Sequence, residues 1–149
     1  MKENGIYVGG GMDEKCVIKT IEPVATGDLF IVSGPIEVQS LIGVVTTTKI
    51  QAQANSIKLL VDPTVPATDT DICAATEINN DAIGTVYVVT GTVGAGLTEQ
   101  TNGVGVTTAT KLIIPAGVIE INGTASNTGI IVWYLRYKPL APGVTVIAA

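Results

Sequence analysis

The sequence predicts an all-β protein, an antiparallel β-sandwich of jelly-roll type with an extended N-terminal arm. β-Branched residues dominate a series of short segments, and Gly, Pro, Asn or Asp occupies nearly every gap between them. Apolar residues nowhere recur at helical spacing over successive turns. Short strands without crossover helices imply a sandwich or a barrel. An immunoglobulin-like sandwich is the second candidate, but Trp133 follows both cysteines, so the Cys-Trp-Cys order of that family is absent.

Residues 1–16 differ from the rest and are predicted to form the arm. They are rich in charge and contain a triple glycine at positions 9–11 and a single apolar cluster. Such a segment cannot pack alone, and triglycine makes it flexible in the free chain. The alternatives are a disordered tail and an arm that orders on a neighbouring subunit, and we favour the arm. Its expected contacts with the other subunits are Ile6, Tyr7, Val8 and Met12.

Residues 17–149 are predicted to form one domain. Its candidate strands, in chain order, are Val17–Ile21, Leu29–Ser33, Ile36–Val45 with a continuation over Lys49–Ala52, Ile57–Val61, Ile72–Ile78, Thr85–Thr90, Val106–Ile114, Val118–Ile121, Ile130–Tyr137 and Val144–Ile147. A short helix competes with a strand only over residues 72–78. Two long loops, 62–71 and 92–105, are rich in Pro, Asp or Gly, and loops of this length are often functional or disordered.

The segment 130–138 alternates in the manner of a strand that is buried on one side. Its predicted core face carries Ile131, Trp133, Leu135 and Tyr137. The opposite face, with Val132, Tyr134, Arg136 and Lys138, is predicted to meet solvent or a partner. We expect Trp133 to be the central packing residue, so its truncation to Ala should cost about 3–5 kcal/mol of stability.

The composition favours an oligomer or a subunit of a larger assembly. Charged residues make up 14% of the chain, against about 25% in typical soluble proteins. A monomer this poor in charge would expose much aliphatic surface, and such patches usually mark association sites. The alternative is a stable monomer whose Thr- and Gly-rich surface is polar enough.

The charge and hydropathy patterns argue against nucleic acid and membranes as partners. The net charge is −5, and the eight Lys and Arg residues are scattered instead of clustered. The longest dense apolar run, 130–135, is far shorter than the roughly 20 residues of a membrane span. The N-terminus lacks the apolar region of a secretion signal, so we expect synthesis in the cytoplasm. Cys16 and Cys73 are therefore expected to be free thiols, with Cys73 in the core.

The sequence contains little that indicates catalysis, and we predict no enzymatic activity, no cofactor and no metal site. There is no His, which removes the commonest general base and metal ligand. The carboxylates between Asp62 and Asp81 offer oxygen ligands for calcium, but their spacing fits turn chemistry better than an EF-hand loop. A carboxylate pair for glycoside hydrolysis and a Ser-Lys pair are weaker alternatives. The Gly-rich stretches lack the Lys-Ser/Thr of a phosphate-binding loop.

Three segments resemble small structural proteins of tailed bacteriophages, and most of all their capsid decoration (cement) proteins. They are IVSGPIEVQSLIGVVTT, VDPTVPATDTDICA and LIIPAGVIEINGTASNTGIIVWYLRYKPLAPG. The resemblance implies a homotrimer on the capsid exterior, seated between major capsid subunits at three-fold positions, which stabilises the virion shell. Head-fibre and tail-fibre modules are similar too, which implies as the alternative a receptor- or glycan-binding module. Exposed aromatics near the long loops, such as Tyr87 or Tyr134, would then carry recognition. A tail or connector component is a further virion role.

Overall fold

The fold comes from a computed structural model that describes residues 13–101, 104 and 111–149, together with the backbone of two short N-terminal strands. All regular elements in these residues are strands. In chain order they are β1 (Lys2–Glu3), β2 (Ile6–Tyr7), β3 (Lys15–Ile21), β4 (Thr26–Val32), β5 (Ile36–Val45), β6 (Ser56–Pro63), β7 (Thr70–Asp71), β8 (Thr76–Glu77), β9 (Val86–Val88), β10 (Thr98–Gln100), β11 (Leu112–Ile114), β12 (Gly117–Gly123), β13 (Ile131–Pro139) and β14 (Val146–Ala148).

Two six-stranded antiparallel sheets form a sandwich. The front sheet has the order β10-β9-β5-β13-β3, with β11 also paired to β5, and the back sheet has the order β14-β4-β12-β6-β7, with β8 also paired to β6. Among the described strands, β1 and β2 pair only with each other. The predicted fold class, an antiparallel β-sandwich, is confirmed.

The order in which strands pair is that of a jelly roll. Pairing is nested along the chain: β3 pairs with β13, β4 with β12, β5 with β9, and β6 with β8. From β3 to β6, and again from β11 to β14, successive strands lie in alternate sheets, so these connections cross from one sheet to the other. A chain that folds over in this way as a series of paired strands gives the double-sheet jelly roll.

The core lies between the sheets, and β13 contributes its centre. Ile131, Trp133, Leu135 and Tyr137 are all buried, as the alternating pattern of this strand predicts. The Trp133 ring stacks on Tyr87 of β9 with 6.3 Å between ring centroids. The backbone N–H of Val146 donates to the Tyr137 hydroxyl at 3.1 Å, so β13 also helps to hold the last strand. The back sheet contributes Leu29, Phe30, Ile57, Leu59, Ile119 and Ile121.

One predicted strand segment does not form a strand, and another forms a strand only in part. Residues 49–52 form a connecting segment, because the N–H of Ile50 bonds to Asp81 and that of Gln51 to Thr128, and neither partner lies in a strand. Within 72–78 only Thr76–Glu77 is a strand, and no helix forms. Ile72, Cys73 and Ile78 are nevertheless buried, so burial and not strand pairing explains the apolar residues there.

Other strand boundaries differ by a few residues from those predicted. β3 begins at Lys15, two positions before the predicted start. Of the predicted strand 106–114, residues 106–110 lie outside the described residues, and Leu112–Ile114 form β11. The predicted loop 92–105 contains an unexpected strand, Thr98–Gln100, which extends the front sheet.

Candidate interaction surface

The outer face of the front sheet carries two neighbouring rows of uncharged side chains, here called the apolar front face. Strand register aligns each row across β3, β13, β5 and β9. The first row is Ile18, Tyr134, Ile42 and Val88, and the second is Thr20, Val132, Val44 and Val86. Ile18 is 52% exposed, Thr20 is exposed, Val88 is buried, and the other members are half-buried.

The alternation of each strand produces these rows. In β13 the even-numbered residues point outward because Trp133 and Leu135 point into the core. A register shift between Arg136 and Tyr137 changes the phase of the alternation in β5, so Ile36 and Val38 are buried on the same side as Leu41 and Val45. Gly43 lies inward, against the Trp133 ring. Both faces of the strand pair β5–β13 therefore consist of aliphatic and aromatic side chains near their centre.

Charged side chains border the apolar front face at the end where β3 begins. Arg136 donates through Nε to Glu14 Oε1 at 2.8 Å, which fixes the residue just before β3 to this face. Glu37 and Lys138 are directly opposite each other in register one step further along. Lys111 donates to Gln39 beside them. An apolar centre with a polar rim is the usual arrangement of a protein–protein interface.

The apolar front face is no larger than the largest apolar patch of a typical monomer, about 300–600 Å², and it is small for a stable interface. Four strands at about 4.8 Å spacing and two rows of about 7 Å each span at most roughly 270 Å². Stable pairs bury about 800 Å² on each partner. The face can therefore form the centre of an interface, and further contacts must surround it.

The outer face of the back sheet is acidic around Glu120 of β12 and apolar near the β14 edge. Burial raises the pKa of Glu120, and repulsion from Asp28, Asp62 and Asp69 raises that pKa further. Lys58 of β6 pairs with Asp71 at 2.7 Å, which neutralises one carboxylate at the edge of this face. Ile31 and Ile147 lie opposite each other near the β14 edge, and Ile147 is 56% exposed. The two outer faces of the sandwich thus differ in chemistry.

Three of the carboxylates between Asp62 and Asp81 make local contacts. Besides the ion pair of Asp71, Glu77 Oε1 accepts the backbone N–H groups of Asn55 at 2.9 Å and Asn79 at 3.0 Å. Asp81 Oδ2 accepts a hydrogen bond from the Tyr87 hydroxyl. Across the described residues, no group of three or more Cys, Asp and Glu side chains is placed to hold a metal ion.

Of the two aromatic residues considered for recognition by a fibre module, Tyr87 is not exposed, so its predicted role is wrong. It is fully buried against Trp133. Burial raises its pKa, and the neighbouring Asp81 raises that pKa further. The strand pattern of 85–90 has β-branched residues on both sides, so the sequence gives no signal for the side on which Tyr87 lies. Tyr134 does lie outward, half-buried in the centre of the apolar front face.

Both cysteines are free thiols, and their environments differ. Cys16 is exposed on β3, beside Arg136 in register. Cys73 is buried, and burial raises its pKa; its Sγ accepts the backbone N–H of Leu59 at 3.3 Å.

A second apolar feature, here called the side groove, has a volume of about 190 Å³. Residues from β11 of the front sheet and from β6 and β7 of the back sheet line it. Most of the lining is apolar, including Val61, Pro63, Ile72, Leu112, Ile114 and Pro115. Val93 and Ile113 also line it and are each 61% exposed. The side groove therefore has an open, apolar mouth.

The predicted arm contacts are only partly described. Ile6 and Tyr7 lie in β2, whose backbone pairs with β1. Val8 and Met12 lie outside the described residues. The core residues Ile131, Trp133, Leu135 and Tyr137 lie in β13, away from both candidate surfaces. The side groove could not be predicted from the sequence, because its lining comes from segments far apart in the chain.

No family model and no curated protein matches the sequence. Among solved structures, a match is found to a chain in a structure of infectious bursal disease virus, Gt strain. The two sequences are 12% identical, and the match covers 91% of this chain but 38% of the viral chain. Its TM-score is 0.18, which is too low to show a shared fold. In the part of the chain that the structure describes, no helix has the length and apolar character to cross a bilayer.

Proposed function

We propose that this chain is a structural protein of a virion, which associates with its own copies and decorates the outside of a capsid by binding between major capsid subunits. The observation that carries the proposal is the apolar front face, two uncharged rows that cross four strands. Removing such a surface from water favours association in proportion to its apolar area. A homotrimer is the assembly that the resemblance to decoration proteins implies.

The contrast between the two faces gives the proposed assembly an orientation. The apolar front face would meet other subunits, and the acidic outer face of the back sheet, with Asp28, Asp62 and Glu120, would face solvent. Carboxylates in that position keep the exterior of a particle hydrated, and their negative charge makes particles repel one another. Synthesis in the host cytoplasm and assembly on the shell complete the proposal.

Stabilisation of the capsid would follow from mass action. A protein that binds the assembled lattice and not its free subunits stabilises that lattice by its binding free energy. Several copies joined into one oligomer bind a repeating surface with higher avidity than single chains do. Weak individual contacts are then sufficient.

The oligomer is tested by light scattering on the purified chain and two matched variants. We expect a wild-type mass of three times the 15.3 kDa of one chain. Ile18→Glu should lower the mass, because it places a charge in the first apolar row. Ile147→Glu is the control: it changes the same residue type at similar exposure on the opposite face and should leave the mass unchanged. A monomeric wild type, or a mass that responds only to Ile147→Glu, would contradict the proposal.

Capsid binding is tested by co-sedimentation of the protein with mature capsids. Removal of the N-terminal residues is expected to weaken attachment and leave the fold intact. The truncation has to end at Met12, because Glu14 pairs with Arg136 and β3 begins at Lys15. Binding of the truncated chain as strong as that of the full chain would refute a role for the arm in attachment.

A further inference from the structure

The side groove fits one or two apolar side chains better than a complete small molecule. Its volume of about 190 Å³ is below the roughly 300–1,000 Å³ of pockets that enclose ligands. Its exposed Val93 and Ile113 leave apolar surface in water. Thr70 and Asp71 are the polar members of its lining. An aliphatic or aromatic side chain from a protein segment is therefore the occupant that its size and chemistry favour.

The strand beside the side groove also has backbone groups to offer. Among the described strands, β11 pairs with β5 alone, so its other edge has no strand partner there. An edge strand of this kind accepts an added strand through its N–H and C=O groups, while neighbouring pockets take alternate side chains. The occupant is thus expected to be an extended or strand-forming segment.

The N-terminal segment joins β3 at the same end of the front sheet as the side groove. Strand register places Lys15 of β3 opposite Tyr137, Tyr137 opposite Val38, and Val38 opposite Leu112 of β11. Three strand spacings of about 4.8 Å separate β3 from β11 by about 14 Å. Tyr7 precedes Lys15 by eight positions, a reach of about 26 Å for an extended chain. The segment is therefore long enough to reach its own side groove, and it reaches that of a neighbouring copy where the two grooves lie at a similar distance.

The segment has the residue types that the side groove needs. Ile6 and Tyr7 form β2, which pairs with β1. A hairpin with two residues in each strand is not stable alone in water, so it needs a surface to pack on. The two side chains are apolar or amphipathic, which matches the lining of the side groove.

We propose that the side groove receives Ile6 and Tyr7 from a neighbouring copy, so that subunits exchange their N-terminal hairpins. This proposal rests on the proposed self-association and names its second contact. The apolar front face covers only about a third of the roughly 800 Å² that a stable pair buries on each partner. Glu14 is fixed on that face by Arg136, so the segment leaves each subunit at the surface where the neighbouring subunit lies. Exchange supplies the contact area that the face lacks.

The test is disulfide cross-linking between two full-length chains of different tag length, co-expressed in a Cys16→Ser background. One chain carries Tyr7→Cys and the other Ile113→Cys. Exchange predicts a cross-linked heterodimer on a non-reducing gel. Ile83→Cys replaces Ile113→Cys in the control, because Ile83 has a similar exposure of 58% and does not line the side groove. The cross-link should be lost in this control.

Three other results would overturn the exchange. They are equal cross-linking in the control, no cross-link in either mixture, and a cross-link that forms only within one chain carrying both cysteines. The last result would identify the chain's own hairpin as the occupant. The cross-linking test is independent of the light-scattering test of the apolar front face. A cross-linked heterodimer, together with no effect of Ile18→Glu on the mass, would support the exchange and reject the apolar front face as an interface. A mass lowered by Ile18→Glu without any cross-link would reject the exchange alone.

Discussion

Replacement of Gly43 by Ala should destabilise the sandwich through one identifiable clash. A Cβ built on Gly43 lies 2.8 Å from Trp133 Cζ3 and 2.9 Å from Cε3 and from Cη2. Non-bonded carbon atoms prefer separations of about 3.5–4.0 Å. The overlap therefore involves three atoms of the six-membered ring of the indole. Neither side can easily give way, because β5 is held by β13 on one side and by β9 on the other.

The expected cost follows from this geometry. Overpacking of a well-packed core costs about 1–3 kcal/mol, and we expect the upper part of that range because the ring is fully buried and stacked on Tyr87. For a chain of this length, each kcal/mol lowers the melting temperature by about 2–4 °C. Gly43→Ala should therefore lower it by about 5–10 °C. Denaturation is measured at one fixed protein concentration, because the stability of an oligomer depends on it.

A double-mutant cycle with Trp133→Phe identifies the cause. Phe lacks the part of the indole that meets the new Cβ, so Gly43→Ala should cost less than about 0.5 kcal/mol in that background, the scale on which independent substitutions add. The coupling energy would then be about 2 kcal/mol. If Gly43→Ala cost the same in both backgrounds, or cost nothing in the wild type, the proposed packing of β5 against Trp133 would be wrong.

Two further predictions concern ionisation. Glu120 has a raised pKa in the fold, so its contribution to stability is present below the ordinary value of 4.5 and is lost as the pH rises through the raised pKa. The melting temperature of Glu120→Gln should therefore rise relative to that of the wild type as the pH rises through that range. Glu22→Gln, at an exposed glutamate, is the control, and equal behaviour of the two variants would contradict the acidic face. Cys73 should react with a thiol reagent only after unfolding, because it is buried and its pKa is raised, whereas Cys16 should react in the folded chain. Equal native rates for the two thiols, in variants that retain one each, would refute this assignment.

The sequence was sufficient to predict the fold class and the centre of the core. Strict alternation around Trp133 identifies the inner face of β13, because its outer face turns polar at Arg136 and Lys138. β-Branched segments without helical spacing exclude crossover helices, and short antiparallel strands then leave a sandwich or a barrel. These signals are local and periodic, so they can be read without coordinates.

The candidate surfaces could not be predicted in the same way. β5 has aliphatic residues on both faces, so its sequence does not show that Ile42 and Val44 point outward. The rows become visible only when register aligns four strands that are distant in the chain. Tyr87 illustrates the same limit: its inward direction depends on its pairing with Gly43, opposite Trp133. The side groove is harder still to predict from sequence, because residues from the edges of both sheets line it.

Gly43 links the core to the proposed interface. Its neighbours Ile42 and Val44 are the outward members that β5 contributes to the two apolar rows. The indole of Trp133 occupies the space that a side chain at position 43 would fill, so β5 lies close against the core at this point. A strand fixed in this way holds Ile42 and Val44 in defined positions on the outer face, and close packing at the centre of an interface depends on such positions. The largest core residue thus supports the surface through which we propose that the subunits associate.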